Sequence, residues 1–383
     1  MSEALKYIFA VMGFAVCLCS RGYAQSEKAF MPKVNYTGDV INNFSGGERR
    51  SLQYMGLLDV GFQLGTEAAR WWKGGTFSVE VLSTHGKGVS ATTIYDMQAI
   101  CNIEAGNHAL LAWEFWYHQQ LGRFGIRGGL MNITDDFMCQ PFTDDFSGSS
   151  YGTFPTLFLN YSLPNYPTAG LGIAASYRIN ANWYVLSALF NGRVGDIGDN
   201  DRFNMKWRAN PRKDGVLSMT EVKYVSDSTQ FPAHLFGLGA VYHTKRFPSV
   251  RDGDRSYPNN YTLYAFGEHD FYQDADRTAG AFLQGSYAVK NRNAVYGYSA
   301  VGLVANGFFS RSHTDAAGIG LTQLYYQSAE EDAIRNRTEH TIEVFVKYNL
   351  NRYVTIKPTF YTIISHPKTV VTAAMVELGI NLF

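Results

Sequence analysis

The chain consists largely of short segments in which an apolar residue alternates with a polar or small one, and this alternation most constrains its fold. In segment 110–119, Trp113 and Phe115 share one face, whereas Glu114 and Trp116 share the other. Successive side chains of a strand point to opposite faces, and a soluble sandwich turns the apolar face toward its core. Here the second face repeatedly carries ionised groups, as if it lined water. The pattern therefore predicts an all-β fold, a transmembrane antiparallel β-barrel.

The alternating segments recur as hairpins. Segment 110–119 is followed by the short turn 120–123 and by a second alternating segment, 124–131. Further predicted strands are 171–178, 183–190, 216–225, 235–245, 261–269, 279–288, 294–304, 318–326, 340–348, 353–363 and 372–382. Barrel strands of about 9 to 11 residues are joined alternately by short turns and long loops. At about 22 residues per strand with its share of loop, the chain predicts about 16 strands with long extracellular loops.

The N-terminal segment has the features of a secretory signal. An apolar run ends at Cys19, and the small residues Gly22 and Ala24 stand at positions −3 and −1 of a cleavage site after Ala24. The run falls short of the roughly 18 apolar residues that a transmembrane helix requires. We therefore predict that residues 1–24 are a signal peptide that is removed on export, and that 25–383 form a single outer-membrane β-barrel domain.

Charge and cysteine content exclude several classes of partner. The chain carries 33 basic and 33 acidic residues without a basic run, so we predict no nucleic-acid partner. The aromatic content of 15% and the 37 glycines suit a bilayer interface and barrel turns. Once the signal is removed, Cys101 and Cys139 remain, and they do not form a Cys-x-x-Cys motif. The sequence thus gives no support for a metal or for any cofactor.

Several fragments of catalytic motifs lack the context that catalysis needs. Gly148–Gly152 fits Gly-x-Ser-x-Gly, but no buried strand precedes it and no helix follows it. His269 and His313 have no second histidine at metal-ligand spacing. The glycine pairs in 170–172 and 318–320 lie outside any strand-helix-strand unit. We therefore predict that the protein is not an enzyme.

Short aromatic, glycine and charged motifs follow one another over most of residues 35–383. They are Tyr36–Asp39, Asn43, Gly46–Gly47, Glu114–Tyr117, Phe124–Gly129, Asn165–Gly172, Ala188–Gly192, Arg311, Asp315, Gly318–Gly320 and the stretch Glu339–Pro367. In this order and spacing they resemble the carbohydrate-selective porins of the OprB family. The resemblance implies a monomeric, 16-stranded barrel in the outer membrane of a Gram-negative bacterium, in contact with outer-membrane lipid, through which mono- or oligosaccharides diffuse.

The chemistry of sugar passage selects candidate lumen residues. A sugar in a narrow lumen loses water from many hydroxyls, so the wall must offer donors and acceptors in exchange. The predicted lumen-facing candidates are Glu114, Trp116, Arg127, Arg178, Glu221, Lys223, Glu343 and Lys347, with Arg311 added from the resemblance. Charges of both signs favour a neutral polyhydroxylated solute. The alternative for each is a solvated lumen charge without contact to sugar.

The segment 135–167 is too long for a tight connection. It interleaves aromatic residues with acids that include Asp135 and Asp136. One interpretation is a loop that folds inward, with its aromatic rings on the wall and its carboxylates toward sugar. The other is a cap that shields the barrel from outside. Long loops without secondary structure of their own are usually functional, which favours the inward loop.

The two remaining cysteines pose a separate question. If 120–123 is a periplasmic turn, both flanks of its hairpin run to the outer side, and Cys101 and Cys139 lie above the same strands. Export into an oxidising compartment then permits a disulfide between them. Two unpaired thiols in separate loops are the alternative.

Two other functions remain open at this stage. A general or anion-preferring porin would have a net-positive constriction. A secreted adhesin, or another β protein that transports nothing, would pack its apolar face in a core and dissolve without detergent.

Overall fold

The computed structural model describes residues 28–195, 201–226, 233–252, 254–274, 276–330, 333–365 and 369–382. The predicted signal peptide, 1–24, lies outside the described residues. Sixteen antiparallel strands close into a barrel, which confirms the predicted fold class and strand number. A separate pair of two-residue strands, β10 (Phe247–Pro248) and β11 (Ser256–Tyr257), lies outside the barrel sheet.

The strands follow one another around the barrel in chain order. Their bounds are β1 Phe30–Ser45, β2 Ser51–Gly65, β3 Gly75–Gly86, β4 His108–Leu121, β5 Phe124–Met131, β6 Gly170–Arg178, β7 Trp183–Asn191, β8 Val216–Val225, β9 His234–His243, β10 Phe247–Pro248, β11 Ser256–Tyr257, β12 Asn260–Asp274, β13 Arg277–Ala288, β14 Val295–Asn306, β15 Ala316–Glu330, β16 Ala333–Asn349, β17 Val354–Ser365 and β18 Thr369–Asn381. The barrel closes where β1 pairs with β18, in a register that aligns Asn35 with Asn381.

The two ends of the barrel differ in their connections. Turns such as 122–123 and 179–182 join strands at one end, while 87–107, 132–169 and 192–215 join them at the other. Outer-membrane barrels have short periplasmic turns and longer extracellular loops. We therefore call these the periplasmic end and the outer end.

Side chains sort by strand phase as the alternation predicted. Leu52 is 68% exposed and Leu238 65%, because both point outward toward the position of lipid. Tyr264 and Phe345 point inward and are almost fully buried. No helix among the described residues is long and apolar enough to cross a bilayer.

The structure contradicts the predicted direction of one residue on β4. Glu114 pairs with Glu80, but Ala112 pairs with Val81, so β4 contains one extra residue at this point. Such a bulge bends a strand and reverses the local phase. Trp113 is the bulged residue, and it is 8% exposed inside the barrel instead of facing lipid with Phe115.

Candidate functional site

The loop 132–169 folds into the lumen, so the inward interpretation is confirmed and the outer cap is wrong. The Phe146 ring lies 5.3 Å from that of Phe282 and 4.8 Å from that of Phe345, on the barrel wall. Phe154 lies 5.6 Å from the ring of Tyr264. These loop rings are buried, so apolar contact with the wall holds the loop inside.

Carboxylates of the wall hold the backbone of the same loop. Glu343 accepts hydrogen bonds from the N–H groups of Ser147, at 2.7 Å, and Gly148, at 3.1 Å. Glu268 on β12 accepts from the Phe142 N–H at 2.7 Å. Hydrogen bonds to a carboxylate are stronger than neutral ones. An inward glutamate therefore serves here as an anchor for loop backbone.

Glu221, a predicted lumen residue on β8, plays a similar part. It accepts from the Met138 N–H and from the Tyr264 hydroxyl, both at 2.9 Å, and Lys223 lies 3.3 Å from its other oxygen. Both Glu221 and Lys223 are fully buried. Lys347 pairs at 2.6 Å with Asp145 of the loop. Strand phase correctly predicted that these side chains point inward. Each of them, however, contacts the loop 132–169 or a neighbouring wall residue.

The hairpin of β4 and β5 groups Glu114, Trp116 and Arg127 as the sequence predicted. The Trp116 indole N–H donates to Glu114 at 3.1 Å, and the guanidinium of Arg127 lies 5.0 Å from the Trp116 ring centre. Arg127 also forms a buried ion pair with Asp136 of the loop. Asn132 donates its N–H to Glu114 at 3.3 Å. This group forms a buried network that fixes the start of the loop.

A cavity of about 1150 Å³ remains beside the loop. Its charged lining residues are Lys33, Asp59, Glu80, Asp96, Glu104, Asp135 and Asp144. Of the predicted sugar-contacting residues, Asp135 lies on this lining, and whether it contacts sugar remains a prediction. Carboxylates thus outnumber ammonium groups along the described lining, and the balance of signs expected for the lumen does not hold at the cavity surface.

One ammonium group is shared by two of these carboxylates. Lys33 Nζ lies 2.5 Å from Asp59 and 2.6 Å from Glu80, on the neighbouring strands β1, β2 and β3. The second oxygen of Asp59 accepts no hydrogen bond in the structure. The cluster therefore places two carboxylates and one ammonium group at the cavity, with the second Asp59 oxygen itself buried.

Trp113 and Tyr166 are two of the aromatic residues on the lining, and their rings are in contact. The rings of Trp113 and Tyr166 lie 5.9 Å apart at an interplanar angle of 70°. The Tyr166 hydroxyl donates to the carbonyl of Ile103 at 2.9 Å, which fixes its ring against the loop 87–107. Neither residue is among the predicted site residues. Tyr166 lies within the motif Asn165–Gly172. Trp113 could not be predicted from strand alternation, because the alternation does not show the bulge.

Two predicted lumen residues lie far from this cavity. Arg178 ends β6 at the periplasmic end, where it is exposed, and Arg311 lies in the exposed periplasmic turn 307–315. Neither position brings a guanidinium to the loop 132–169. A role for either in sugar contact is not favoured by its place in the fold.

The predicted disulfide is not formed. Cys101 Sγ donates to Asp39 at 3.1 Å, whereas Cys139 Sγ donates to the carbonyl of Thr134 at 3.3 Å. Burial, followed by the charge of Asp39, raises the pKa of Cys101. Although both cysteines line the cavity, the loop directs each sulfur to a different acceptor.

Like Asp144 of the loop 132–169, Asp96 is a lining carboxylate whose ionisation is strongly affected by its surroundings. It lies in the loop 87–107 and is 9% exposed, and burial raises its pKa to about 7. The carboxylates of Glu339 on β16 and Glu104 in the same loop add to that increase. One of its oxygens accepts from the Ile100 N–H at 3.0 Å, and the other accepts no hydrogen bond in the structure.

The local structure also bears on catalysis. Ser149–Gly152 form a single helical turn, and the segment before them is a loop, so the strand-turn-helix context of a nucleophile is absent at this motif. Within the described residues, no group of three or more His, Cys, Asp or Glu side chains could hold a metal ion.

Comparison with known proteins adds three findings. Residues 49–376 match the family model of the carbohydrate-selective porins, OprB family. Among solved structures, the high-pH structure of Pseudomonas putida OprB has a TM-score of 0.82 at 16% identity, over 94% of this chain and 96% of that one. The trimer form of Vibrio cholerae OmpT gives a TM-score of 0.55 at 8% identity, over 92% and 99% of the two chains. The search of curated proteins found no match.

Proposed function

The chain belongs to the carbohydrate-selective porin family OprB, and we propose that its sugars pass through the cavity beside the loop 132–169. Family membership makes the protein a passive channel and not an enzyme, so the predicted sugar-porin function is confirmed. The finer proposal concerns the path. It rests on one observation, the cavity of about 1150 Å³ that combines a ring pair with an excess of acceptor oxygens.

The ring pair suits the apolar side of a pyranose. A sugar ring presents C–H groups on its face and hydroxyls around its edge. Trp113 offers a flat apolar surface to the face, while Asp135 and Glu80 offer acceptors to hydroxyls at the edge. Because each such contact is weak and several are available along the lining, a sugar can bind without being trapped, as diffusion requires.

The charge of the lining argues against the alternative of an anion-preferring porin. That alternative needs a net-positive constriction, whereas carboxylates predominate on the described lining and Lys33 is already engaged by two of them. An anionic solute would be repelled, and a neutral or cationic one would not. The lining therefore supports passage of neutral sugars.

The setting of this function is also a proposal. We infer that the chain is exported after removal of residues 1–24, that 25–383 form the porin domain, and that this domain lies as a monomer among the lipids of a Gram-negative outer membrane. The outward leucines and the aromatic residues near both barrel ends support a lipid setting. Sedimentation in detergent, corrected for bound detergent, tests the monomer, and a trimer mass would contradict it.

Liposome swelling tests the path. Proteoliposomes with wild type, Trp113→Ala, Asp135→Asn or the lipid-facing control Phe360→Leu are diluted into a size-graded series of neutral sugars and into gluconate. We expect wild type and the control to pass neutral hexoses faster than gluconate. Trp113→Ala should reduce the difference in swelling rate between sugars of different size. Asp135→Asn should reduce the difference in swelling rate between neutral sugars and gluconate. If both variants match the control, sugars take another path.

A further inference from the structure

The loop between β7 and β8 covers part of the outer surface of the barrel wall. The Ala112 N–H of β4 donates to the carbonyl of Phe203 at 2.8 Å, and the Asn204 side chain donates to the carbonyl of Ala112 at 3.0 Å. The ring of Trp207 lies 5.8 Å from that of Phe115, which faces the lipid. The loop is therefore fixed against the outside of the barrel by backbone pairing and by a ring contact.

The position of this contact follows from the neighbouring strand. β5 pairs with β4 from Leu121 up to Phe115 and ends at Met131, where the chain turns into the lumen. Between Phe115 and the outer end, the β4 backbone has no pairing partner in β5. An unpaired strand edge in a membrane protein is unfavourable, because no water is present to bond its polar groups. Phe203 and Asn204 supply those bonds at Ala112.

The surface that this loop presents is apolar and exposed. Met205 is 61% exposed, Phe203 50% and Trp207 41%, next to Phe115 at 52%. These side chains lie toward the outer end of the barrel, since the loop joins β7 and β8 there. We call Phe203, Met205 and Trp207, together with the basic residues described next, the 202–213 surface.

The same segment is strongly basic at its surface. It contains Arg202, Lys206, Arg208, Arg212 and Lys213. Among the described residues, the two acids that flank this segment are used internally: Asp201 accepts from the N–H groups of Met205, at 2.8 Å, and Lys206, at 2.9 Å. Asp214 is 2% exposed and accepts from the side chain of Asn191 at 3.0 Å. Buried carboxylates leave the exposed charge of the surface positive.

We propose that the 202–213 surface binds a phosphate-bearing lipid of the outer leaflet, an inference that rests on the proposed membrane setting and goes beyond sugar transport. Lys206, Arg212 and Lys213 would donate to the phosphate oxygens, while Phe203 and Trp207 would lie against the acyl chains. Basic side chains beside exposed rings at a bilayer interface match an anionic lipid in both charge and polarity. A second copy fits less well, because a two-fold contact would bring like charges together.

Native mass spectrometry of the detergent-folded mature protein tests this inference. The probes are diphosphorylated lipid A and the same lipid after removal of its phosphates. The test variant is Lys206→Gln/Arg212→Gln/Lys213→Gln, and the control, Lys87→Gln/Lys245→Gln/Arg251→Gln, neutralises three exposed cations on other outer-end loops. We expect wild type and control to retain the phosphorylated lipid and the test variant to bind it on the order of tenfold more weakly.

Trp207→Ser checks the apolar half of the surface separately, and it should weaken both lipid forms. Equal retention of the two lipid forms by wild type, or equal loss in test and control variants, would overturn the inference. So would self-association of lipid-free wild type that the triple variant abolishes, since the surface would then bind a second copy. Swelling in neutral sugars is measured on the same samples, so a failure of the transport proposal is seen independently.

Discussion

The anchoring of the loop 132–169 by Glu343 gives the sharpest test of the site. Glu343→Ala removes two hydrogen bonds, at 2.7 and 3.1 Å, from the buried N–H groups of Ser147 and Gly148. A hydrogen bond to a charged group contributes about 1.5–3 kcal/mol, so the loss is about 3–6 kcal/mol. The lower end applies here, because water from the cavity can enter the space that the side chain leaves.

The rings of Phe146 and Tyr151 still hold the loop after this change, so we expect local loosening and not release of the whole loop. Single-channel recordings in planar bilayers should show a higher mean conductance and more current noise for Glu343→Ala, with Glu343→Gln between it and wild type. Glu377→Gln is the control, since it removes an inward carboxylate that bonds Lys357 and no loop N–H. Wild-type conductance and noise in Glu343→Ala would refute the anchoring argument.

Four further predictions concern the charged groups and the ring of the site. Arg127→Ala breaks the buried pair with Asp136 and should cost about 3–5 kcal/mol of stability in urea unfolding, with less loss in the double variant Arg127→Ala/Asp136→Ala; a loss in the double variant equal to the sum of the two single losses would show that the pair carries no coupling. The same single variant should shift the reversal potential toward cations, because the Asp136 carboxylate loses its counter-charge, and an unchanged potential would contradict this. Trp113→Ala should weaken the block of ion current by added sugar, and a block of wild-type strength would show that the ring makes no sugar contact. Because the pKa of Asp96 is raised to about 7, this carboxyl is largely neutral below that pH and charged above it; cation preference should increase from pH 6 to pH 8 in wild type and increase less in Asp96→Asn, where Asp144, whose pKa is also raised to about 7, still ionises on the same lining.

Alternation predicted the strands best where the inward face is polar or small. β9 is an example, with Gly237 and Gly239 inward and Phe236 and Leu238 outward. No segment before 110 was predicted as a strand, although β1, β2 and β3 occupy much of it. Their inward residues include apolar side chains that pack under the loop 87–107.

Ile41 of β1 and Met55 of β2 are inward and buried, and they pack in one cluster with Ile94 and Ile100 of that loop. When a loop covers the lumen face, both faces of the strand become apolar and the period of two disappears from the sequence. The total length of the chain still gave the right number of strands. The positions of the first three depended on a tertiary contact.

The inward direction of the site residues was predicted correctly, but their contact partners were not. Strand phase sends Glu221 and Glu343 inward, and it says nothing of which groups they meet. Their partners are backbone N–H groups of the loop, which any residue other than proline carries, so no sequence signal marks them. Trp113 shows the converse case, since a single extra residue in β4 turned a predicted lipid-facing ring into a lining residue.

The length of β5 links the site to the outer surface. Gly129 near its end has a φ of +144°, and a Cβ there would lie 2.3 Å from the Phe115 carbonyl oxygen, so a side chain at this position would be strained. Soon after, at Met131, the chain leaves the wall for the lumen, which both fills the barrel with the loop and leaves β4 without a partner strand at Ala112. The inward loop needs hydrogen-bond acceptors on the wall, such as Glu343. The unpaired β4 backbone at Ala112 needs a covering segment, which the loop 192–215 supplies. Extension of β5 would therefore change the pore and the 202–213 surface together, although the two lie on opposite sides of the wall.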